Sequence, residues 1–395
     1  MAGLKVIVVG GGVMGLAAGC ALAGHGADVT VLERYTVGHA WASSHGLSRA
    51  IRHEYGPHPI YTQMVARSLT LWDELARETG RRLYAETGVL TLGQEDDDQT
   101  LAGLDVMRAE GLPAERLTQA ECVARFPQFR PDDYSAIIWN PRGGMLYASE
   151  CLAALAERLA ARGGRLREGA RVTRVEQAGA GARVTRVEQA GAGARVTLAD
   201  GETLTADRVV VTAGPWLADA LAGLWQPPIR ATRQQVCYFS GADPAAFGVG
   251  AFPVFLAEMT CYGFPLQGSG WLKVASHVIG ASVDPDAGYV PDDAEIAFVR
   301  DFLRRVIPGA AGLELASVDR CMYDMSPDED FILDHLPGAN AVILGAGFSG
   351  HGFKFGVLIG ELLAALALDQ PPEFSLERFR ASRFDATTDA APAAK

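Results

Sequence analysis

Lysine is scarce in this chain, and the positions of the few lysines are informative. Lys and Arg together number 35, yet lysine occurs only at Lys5, Lys273, Lys354 and Lys395. Arginine therefore carries most of the positive charge. Lysine carries a compact ammonium whose pKa moves on burial, whereas arginine carries a broad planar guanidinium. The two internal lysines are therefore candidates for a role that arginine could not fill. Both lie inside glycine-flanked motifs and not on charged helix faces, which favours a functional role for each.

Other side chains suited to chemistry cluster in a few segments. A polar loop covers residues 43–53, an aromatic segment leads into Lys273, and a Cys-Met-Tyr triplet precedes an acidic loop at 328–330. A single histidine is more often structural, with its ring N–H donated to a backbone carbonyl, so that role stays open for each histidine here. The candidate functional side chains in these segments and in the C-terminal glycine motif are His45, Arg49, Arg52, Tyr262, His277, Cys321, Tyr323 and His351.

The N-terminus has the pattern of a dinucleotide-binding βαβ unit. An apolar, β-branched run predicts a strand buried on both faces. It is followed by the turn Gly10-x-Gly12-x-x-Gly15, an Ala-rich helix and a second strand that ends in Glu33. The glycines allow the backbone to approach a pyrophosphate at the helix N-terminus, and Glu33 can hold a ribose hydroxyl. The unit predicts a bound dinucleotide and leaves both NAD and FAD open.

A second glycine turn lies near the C-terminus. A short strand enters Gly347-x-x-Gly350-x-Gly352, and a helix follows just after Lys354. Such a turn offers backbone N–H groups and the positive end of a helix to an anion or to a flavin carbonyl. Ser349 also suggests an α/β-hydrolase, but the stretch lacks the last glycine of G-x-S-x-G, which argues against a nucleophilic serine.

The predicted elements that position these motifs come from distant parts of the chain. A buried strand followed by Gly214 predicts that the dinucleotide domain is assembled from separated segments. Thr118 and Glu121 have the spacing of a capping box, and Ser149 is predicted to cap the helix that runs to Arg162. The predicted bounds are 4–9, 28–33, 208–212 and 341–344 for strands, and up to 23, 61–79 and 355–368 for helices.

Composition limits the class of protein. The net charge of −12 argues against nucleic acid as a partner, because phosphate binding needs clustered Lys and Arg. The most apolar stretch, 355–368, contains Glu361 and is shorter than the roughly 20 residues that a bilayer requires. With no signal-peptide pattern at the N-terminus, we expect a cytoplasmic protein. The six cysteines have no C-x-x-C spacing, so neither disulfides nor a metal site are predicted.

One internal repeat is present. The stretch GARVTRVEQAGA at 169–180 recurs unchanged at 181–192. Two copies of this length do not make a repeat architecture. We interpret them as a tandem duplication that lengthens one surface hairpin, since longer surface loops add little closure entropy.

Four longer motifs together resemble a known family. They are SHGLSRAIRHEYG at 44–56, YGFP at 262–265 with the segment leading to Lys273, CMY before SPDEDF at 321–331, and GFSGHGFKF at 347–355. With these motifs the chain resembles, from its N-terminus to about Phe384, the monomeric sarcosine oxidase and N-methyltryptophan oxidase family. That family lies within the D-amino-acid-oxidase-like flavoproteins.

The resemblance implies an FAD-dependent oxidase of a secondary amino acid, such as a sarcosine-like N-methyl amino acid. A hydride equivalent would pass to the flavin, the imine would be hydrolysed, and O₂ would reoxidise the flavin and give H₂O₂. FAD is implied to be covalent, through a thioether from Cys321 to the flavin 8-methyl group. Arg52 and Lys354 are implied to bind the substrate carboxylate, and Lys273 to promote the reaction with O₂. The other implied catalytic residues are His45 and Arg49 against the flavin and Tyr262, His277 and Tyr323 around the amine.

The resemblance also implies an α/β fold with an α+β second domain. A Rossmann-like FAD-binding domain would combine 1–85, 146–227 and 316–385. A substrate domain built on an antiparallel sheet would combine 86–145 and 228–315, and a flexible tail would follow at 386–395. The implied FAD-binding residues are Cys321, Gly10, Gly12, Val13, Met14, Gly15, Glu33, Arg34, Ser44, Arg49, Gly214, Met322, Gly347, Phe348, Gly350, His351, Gly352 and Lys354.

Elementary electrostatics agrees with these implied roles. An ammonium ~4 Å from a developing superoxide gains about 4 kcal/mol at an effective dielectric near 20. A carboxylate that enters a protein of charge −12 needs local cations, which an arginine fork and a lysine supply. Oxidation requires an unprotonated amine, and nearby cations favour that form.

Other functions stay open. Ser44 stands where the family commonly has a second histidine, Ser48 where it has a threonine, and the stretch 252–262 is shorter, all of which bear on the substrate. The alternatives are an oxidase of a cyclic or bulky secondary amine, such as a pipecolate-like or N-methyl-aromatic amino acid, and a noncatalytic flavin-binding sensor or partner subunit. In either oxidase case we expect a monomer acting on a small molecule.

Overall fold

A computed structural model describes residues 3–95, 98–177, 193–257, 260–268 and 270–384. The middle of the tandem repeat, at 178–192, and the predicted tail, at 386–395, lie outside the described residues. The strands on either side of the repeat pair antiparallel with each other. The predicted α/β class, with more than one sheet, is confirmed.

Within the described ranges, twenty strands form four sheets and nine α-helices pack around them. The strands are β1 (Lys5–Val9), β2 (Asp28–Leu32), β3 (Ser48–Ile51), β4 (Tyr84–Ala85), β5 (Val89–Gly93), β6 (Glu115–Leu117), β7 (Ala136–Asn140), β8 (Gly144–Tyr147), β9 (Arg165–Arg167), β10 (Val172–Gln177), β11 (Ala194–Leu198), β12 (Thr203–Ala206), β13 (Arg208–Val211), β14 (Arg230–Ser240), β15 (Val254–Ala257), β16 (Cys261–Phe264), β17 (Leu272–Ser276), β18 (Glu314–Met325), β19 (Ile332–Leu336) and β20 (Ala339–Ala346). The helices are α1 (Val13–Gly24), α2 (Pro59–Thr79), α3 (Asp98–Ala109), α4 (Gln119–Arg125), α5 (Ala148–Ala161), α6 (Leu217–Ala220), α7 (Pro244–Phe247), α8 (Asp293–Val306) and α9 (Gly356–Ala367).

The first sheet has six strands in the order β19-β20-β13-β1-β2-β9. All neighbours in it are parallel except β19, which pairs antiparallel with β20. Helices α1, α5 and α9 pack against one face, and the small sheet β10-β11-β12 packs against the other. The β-branched strands are therefore buried on both faces, as expected for parallel strands. The carboxyl ends of β1, β13 and β20 meet at one edge, where Gly10, Gly214 and Gly347 follow.

The turn after β1 brings backbone close to backbone. Gly10 has a φ of +105°, which favours glycine. A Cβ atom on Gly15 would lie 1.8 Å from the Gly10 carbonyl oxygen, so α1 packs directly against the turn. Helix α1 begins after Gly12 without a side-chain cap of its own, and Ser44 Oγ instead accepts the Val13 N–H at 3.1 Å.

The second sheet has eight strands in the order β18-β14-β17-β16-β15-β5-β7-β6. The sequence predicts an antiparallel sheet, and all neighbours are antiparallel except β5 and β15. That pair is parallel because its two strands come from distant segments and are not joined as a hairpin. Helix α8 covers an aromatic-rich face of this sheet. Strand β18, which carries Cys321 and Tyr323, pairs with β14 in this sheet. The predicted domain bounds place most of β18 in the FAD-binding domain, and that division into domains stays a prediction.

Of the two helix caps predicted from the sequence, one is confirmed and one is wrong. The capping box is confirmed, because Thr118 Oγ1 accepts the Glu121 N–H at 3.2 Å and Glu121 Oε2 accepts the Thr118 N–H at 2.7 Å. The predicted cap at Ser149 is wrong. Helix α5 begins at Ala148, so Ser149 lies inside its first turn, and Ser149 Oγ donates to the Gly46 carbonyl at 3.3 Å. No helix in the described part of the chain is long and apolar enough to cross a membrane.

Candidate active site

A cavity of about 440 Å³, here called the first cavity, follows the carboxyl edge of the first sheet. It begins near Glu33 at the end of β2, passes the turn after β1 and ends at Tyr323 and the second glycine turn. This is the shape that an extended dinucleotide needs at such an edge. The predicted FAD-binding residues in its wall are Gly10, Gly12, Val13, Met14, Glu33, Arg34, Ser44, Arg49, Gly214, Met322, Phe348, Gly350 and Gly352.

Glu33 is a buried, ionised carboxylate at one end of the first cavity. It accepts the N–H of Gly11 at 2.8 Å and that of Tyr35 at 2.9 Å, and His39 Nε2 lies 3.4 Å away. Burial alone would raise the pKa of Glu33, but the contacts with His39 and the two N–H groups outweigh it and lower that pKa. The charged group is thus held in place to accept a hydroxyl.

The other end of the first cavity is formed by the second glycine turn. A Cβ on Gly350 would lie 2.4 Å from the Tyr323 ring, and one on Gly352 would lie 2.5 Å from the Phe348 side chain. A side chain at either position would clash with this wall. Asp324, which the sequence analysis missed, is buried there and accepts the Phe348 N–H at 3.2 Å, and burial raises its pKa to about 6. These residues fit a planar ring placed between β18 and the turn.

A second cavity of about 710 Å³ lies beside the first, and the two share wall residues. Arg49, Tyr323, Gly350 and Phe353 belong to both walls. The second cavity is therefore placed to hold a molecule against whatever occupies the inner end of the first. The predicted site residues in its wall are His45, Arg49, Arg52, Tyr262, Lys273, His277, Cys321, Tyr323, Gly350, His351 and Lys354.

Two predicted FAD-binding glycines lie in neither wall. Gly15 is in α1, where its Cα faces the Gly10 carbonyl. Gly347 has a φ of +65° and opens the second glycine turn, where a Cβ would lie 3.1 Å from the Ser326 Cβ. Both glycines shape a turn, and neither contributes a surface to the cavities.

Arg52 and Lys354 are the two cations at one side of the second cavity. Lys354 Nζ donates to the Tyr55 hydroxyl at 2.6 Å and to the His351 carbonyl at 2.9 Å. The Arg52 guanidinium donates to the Glu54 carbonyl and lies 4.8 Å from the centre of the Tyr55 ring. Burial, together with Arg52, lowers the pKa of Lys354 well below its usual value. A carboxylate in this cavity would pair with both cations and would favour the charged form of Lys354.

Tyr55 and Glu54 are functional candidates that the sequence analysis did not select. Both lie in the wall of the second cavity. Glu54 is only 6% exposed, and its carboxylate has no well-aligned hydrogen-bond partner among the described residues. Burial raises the pKa of Glu54 although Arg52 opposes the shift. Their position in the sequence could have indicated them, because both residues follow Arg52 within the motif at 44–56.

Lys273 is buried at another side of the second cavity. It is 2% exposed, and Nζ donates to the Ser48 carbonyl at 2.9 Å and lies 4.6 Å from the centre of the Phe264 ring. Burial, with Arg49 as a second cause, lowers its pKa well below the usual value. Among the described residues Nζ donates to this one acceptor, so an ammonium there has further N–H groups available to a bound group.

Cys321 and Arg49 meet where the cavities join. Arg49 Nη2 lies 4.0 Å from Cys321 Sγ, and the same guanidinium donates to the carbonyls of Ser43 and Ser48 at 2.8 Å. Cys321 is half-buried, whereas the other cysteines of the chain are buried. The Cys321 sulfur is thus accessible at this junction and lies beside a cation.

The aromatic wall consists of Tyr262, Tyr323 and His277. The Tyr262 and His277 rings are 6.0 Å apart and nearly perpendicular. Burial, followed by the Cys321 thiol, raises the pKa of Tyr262 to about 12, and burial and Tyr262 raise that of Tyr323. Both hydroxyls therefore stay protonated and can donate at neutral pH. The structure also places His45 beside this region, with Nδ1 bonded to the Gly38 carbonyl at 2.9 Å.

Comparison with known proteins agrees with this geometry. Residues 5–366 match the family model for FAD dependent oxidoreductases. The chain is 34% identical to monomeric sarcosine oxidase of Bacillus sp. (strain B-0618), covering 96% of this chain and 95% of that protein. It is also 34% identical to N-methyl-L-tryptophan oxidase of Yersinia pestis (strain Pestoides F), covering 96% and 99%.

A solved structure with the same fold is glycine oxidase from Geobacillus kaustophilus, with a TM-score of 0.81 and 20% identity over 96% of this chain and 99% of that chain. That identity supports the fold alone. The family match and the sequence relatives span nearly the whole chain. The chain therefore belongs to the FAD dependent oxidoreductases, in the group of FAD-dependent amine oxidases that contains monomeric sarcosine oxidase and N-methyl-L-tryptophan oxidase.

Proposed function

We propose that this protein oxidises a sarcosine-like N-methyl amino acid. The amine, O₂ and water give the demethylated amino acid, formaldehyde and H₂O₂. The observation that carries the proposal is the placement of Arg52 and Lys354 in the second cavity, which joins the FAD cavity at Arg49 and Tyr323. FAD, when bound, accepts the hydride equivalent.

Arg52 and Lys354 bind the substrate carboxylate and so fix the orientation of the amine. Lys354 Nζ keeps its bonds to Tyr55 and His351 while it offers a further N–H to the carboxylate. Charged hydrogen bonds of this kind are among the strong ones in proteins. Because both cations repel an ammonium, they also favour the unprotonated amine that the oxidation needs.

Tyr262, Tyr323 and His277 surround the reacting carbon and nitrogen in this proposal. The tyrosine hydroxyls remain donors at neutral pH because the pKa of each is raised. Their rings also exclude water from the amine side of the cavity. Hydrolysis of the imine product then takes place after release into water.

Covalent attachment of FAD at Cys321 is part of the proposal. Cys321 Sγ would hold the flavin through a thioether to its 8-methyl carbon, and O₂ would be the two-electron oxidant that formation of this bond requires. The half-buried position of Cys321 where the two cavities join supports this role, and Arg49 Nη2 lies 4.0 Å from Sγ. Lys273 supports O₂ as the acceptor, since a buried ammonium stabilises a developing superoxide.

A cyclic or bulky secondary amino acid is the second candidate substrate. It is favoured by the volume of about 710 Å³ and by apolar wall residues such as Ile138 and Leu256.

As in the Bacillus relative, whose name describes a monomer, we expect a monomer that acts on a small molecule.

Product analysis separates the two substrates. With sarcosine or another N-methyl amino acid, we expect formaldehyde and H₂O₂ in equal amounts. A ring substrate such as pipecolate gives H₂O₂ without formaldehyde. Turnover of pipecolate far above all N-methyl amino acids would move the assignment to the second candidate.

A further inference from the structure

One acidic side chain outside the first sheet contacts several residues of the first cavity wall. Asp286 lies on the loop between β17 and α8, which belong to the second sheet and its covering helix. Its Oδ1 accepts the Trp216 Nε1–H at 2.7 Å and lies 3.1 Å from Arg34 Nη1. Its Oδ2 lies 3.7 Å from Arg171 Nη2.

The three partners of Asp286 all line the first cavity. Arg34 follows Glu33 at the end of β2, Trp216 follows β13, and Arg171 precedes β10. The Arg34 guanidinium lies 4.7 Å from the Trp216 ring and 4.8 Å from the Tyr35 ring. Three separate segments thus converge on one carboxylate at the Glu33 end of the cavity.

The charge of Asp286 is suited to this role. Although burial tends to raise its pKa, the hydrogen bonds from Trp216 and Arg34 lower it overall. The backbone at Asp286 is held within the loop, because Asp284 Oδ1 accepts the Asp286 N–H at 2.9 Å. An exposed ion pair by itself contributes little, but here the carboxylate also fixes a tryptophan and bridges two arginines.

We propose that Asp286 is a positioning residue that closes the ADP end of the FAD cavity by holding Arg34 and Trp216 over it. This inference rests on FAD as the cofactor and on Glu33 marking the ribose. Asp286 contacts these two wall residues and does not itself line the first cavity. The contact also couples FAD retention to the packing of the second sheet against the first.

Electrostatics and positioning predict opposite results. ADP and FAD carry a negatively charged diphosphate, so removal of a nearby negative charge would by itself tighten binding. Removal of the residue that fixes Arg34 and Trp216 leaves two side chains to be ordered on binding and weakens it. The sign of the change therefore distinguishes the two effects.

The experiment measures equilibrium binding of FAD and of ADP to the full-length apoprotein of Cys321→Ser, in which no thioether forms. Adding Asp286→Ala should raise the Kd for both ligands about tenfold or more. ADP lacks the flavin, so an equal effect on both ligands assigns the loss to the ADP end. An unchanged or lower Kd for ADP overturns the proposal. The substrate panel is a separate measurement, so this failure would leave the proposed reaction standing.

Two further variants control for charge and folding. Asp292→Asn removes one charge from the same connecting segment while keeping a good N-cap for α8, and it should leave both Kd values unchanged. Trp216→Phe removes the Nε1–H donor and also reduces the ring on which Arg34 packs. Combined with Asp286→Ala, it should add less than its separate effect, as expected for residues that act together. Strict additivity would contradict the shared role, whether or not either variant lowers the Tm.

Discussion

Lys354 Nζ donates to the hydroxyl of Tyr55 at 2.6 Å, and the ring of the same tyrosine lies 4.8 Å from the Arg52 guanidinium. One aromatic side chain thus connects the two cations proposed to bind the substrate carboxylate. Glu54 is a buried acid whose charge interacts with both cations. The substrate carboxylate is expected to bind between these two cations and to pair with both.

Lys354→Met is expected to weaken binding of the substrate and of simple carboxylates. Loss of one charged hydrogen bond corresponds to about 1.5–3 kcal/mol, or roughly 10- to 100-fold in affinity. Titration of the flavin spectrum with acetate measures it directly. Tyr55→Phe keeps the ring under Arg52 and removes only the hydroxyl, so it should have a smaller effect; equal acetate binding in all three proteins would contradict the assignment.

Cys321→Ser is expected to release the flavin. Acid precipitation of the unmodified protein should leave the yellow colour with the pellet, whereas the variant should lose it to the supernatant. Cys261→Ser, at a buried thiol that lies in neither cavity wall, is the matched control and should keep the colour in the pellet. Flavin in the supernatant of the unmodified protein would remove Cys321 from this role.

Lys273→Met is expected to slow reoxidation by O₂ far more than anaerobic flavin reduction. If the ammonium contributes about 4 kcal/mol in the transition state, the loss is on the order of a thousandfold. Because the pKa of Lys273 is lowered, its charged fraction falls as pH rises, and reoxidation should slow in the same direction. Stopped-flow measurement of both half-reactions decides; an equal loss in both would assign Lys273 to substrate oxidation instead.

His53 is expected to make the fold sensitive to acid. It is 1% exposed, and burial and then Arg142 lower its pKa to about 4, below the roughly 6.5 of an unfolded chain. The unfolded state therefore binds more protons between these values. The contribution is fully present above about pH 6.5 and is lost as pH falls towards 4.

The expected size is on the order of 1–3 kcal/mol, checked by denaturant unfolding between pH 7.5 and 5. Asp324, whose pKa is raised to about 6, offsets part of it with the opposite sign. His53→Gln should flatten the pH dependence, and His25→Gln at the exposed end of α1 should not. A steeper dependence in the His53 variant would be the wrong sign for this explanation.

Residues in contiguous motifs could be predicted from the sequence. The glycine turn at Gly10, the acid at Glu33 and the rare lysines at Lys273 and Lys354 all lie in cavity walls. Each is marked by spacing, by flanking glycines or by unusual residue use, which are properties that one stretch of sequence contains.

Features that depend on distant segments could not be predicted. The pairing of β5 with β15 joins segments far apart in the chain, and nothing in either strand specifies it. Asp286 resembles any exposed loop acid until the fold brings it to Arg34 and Trp216. The Ser149 cap failed for a smaller reason, since the chain enters α5 directly from β8 and the serine falls inside the helix.

The rate of anaerobic flavin reduction across a substrate panel tests the central claim most directly. The panel contains sarcosine, bulkier N-methyl amino acids and pipecolate. We predict rapid bleaching of the flavin by at least one N-methyl amino acid, and its loss when the carboxylate is replaced by a neutral amide. Failure of every secondary and tertiary amine to bleach the flavin would contradict an oxidase and point to a noncatalytic flavin protein.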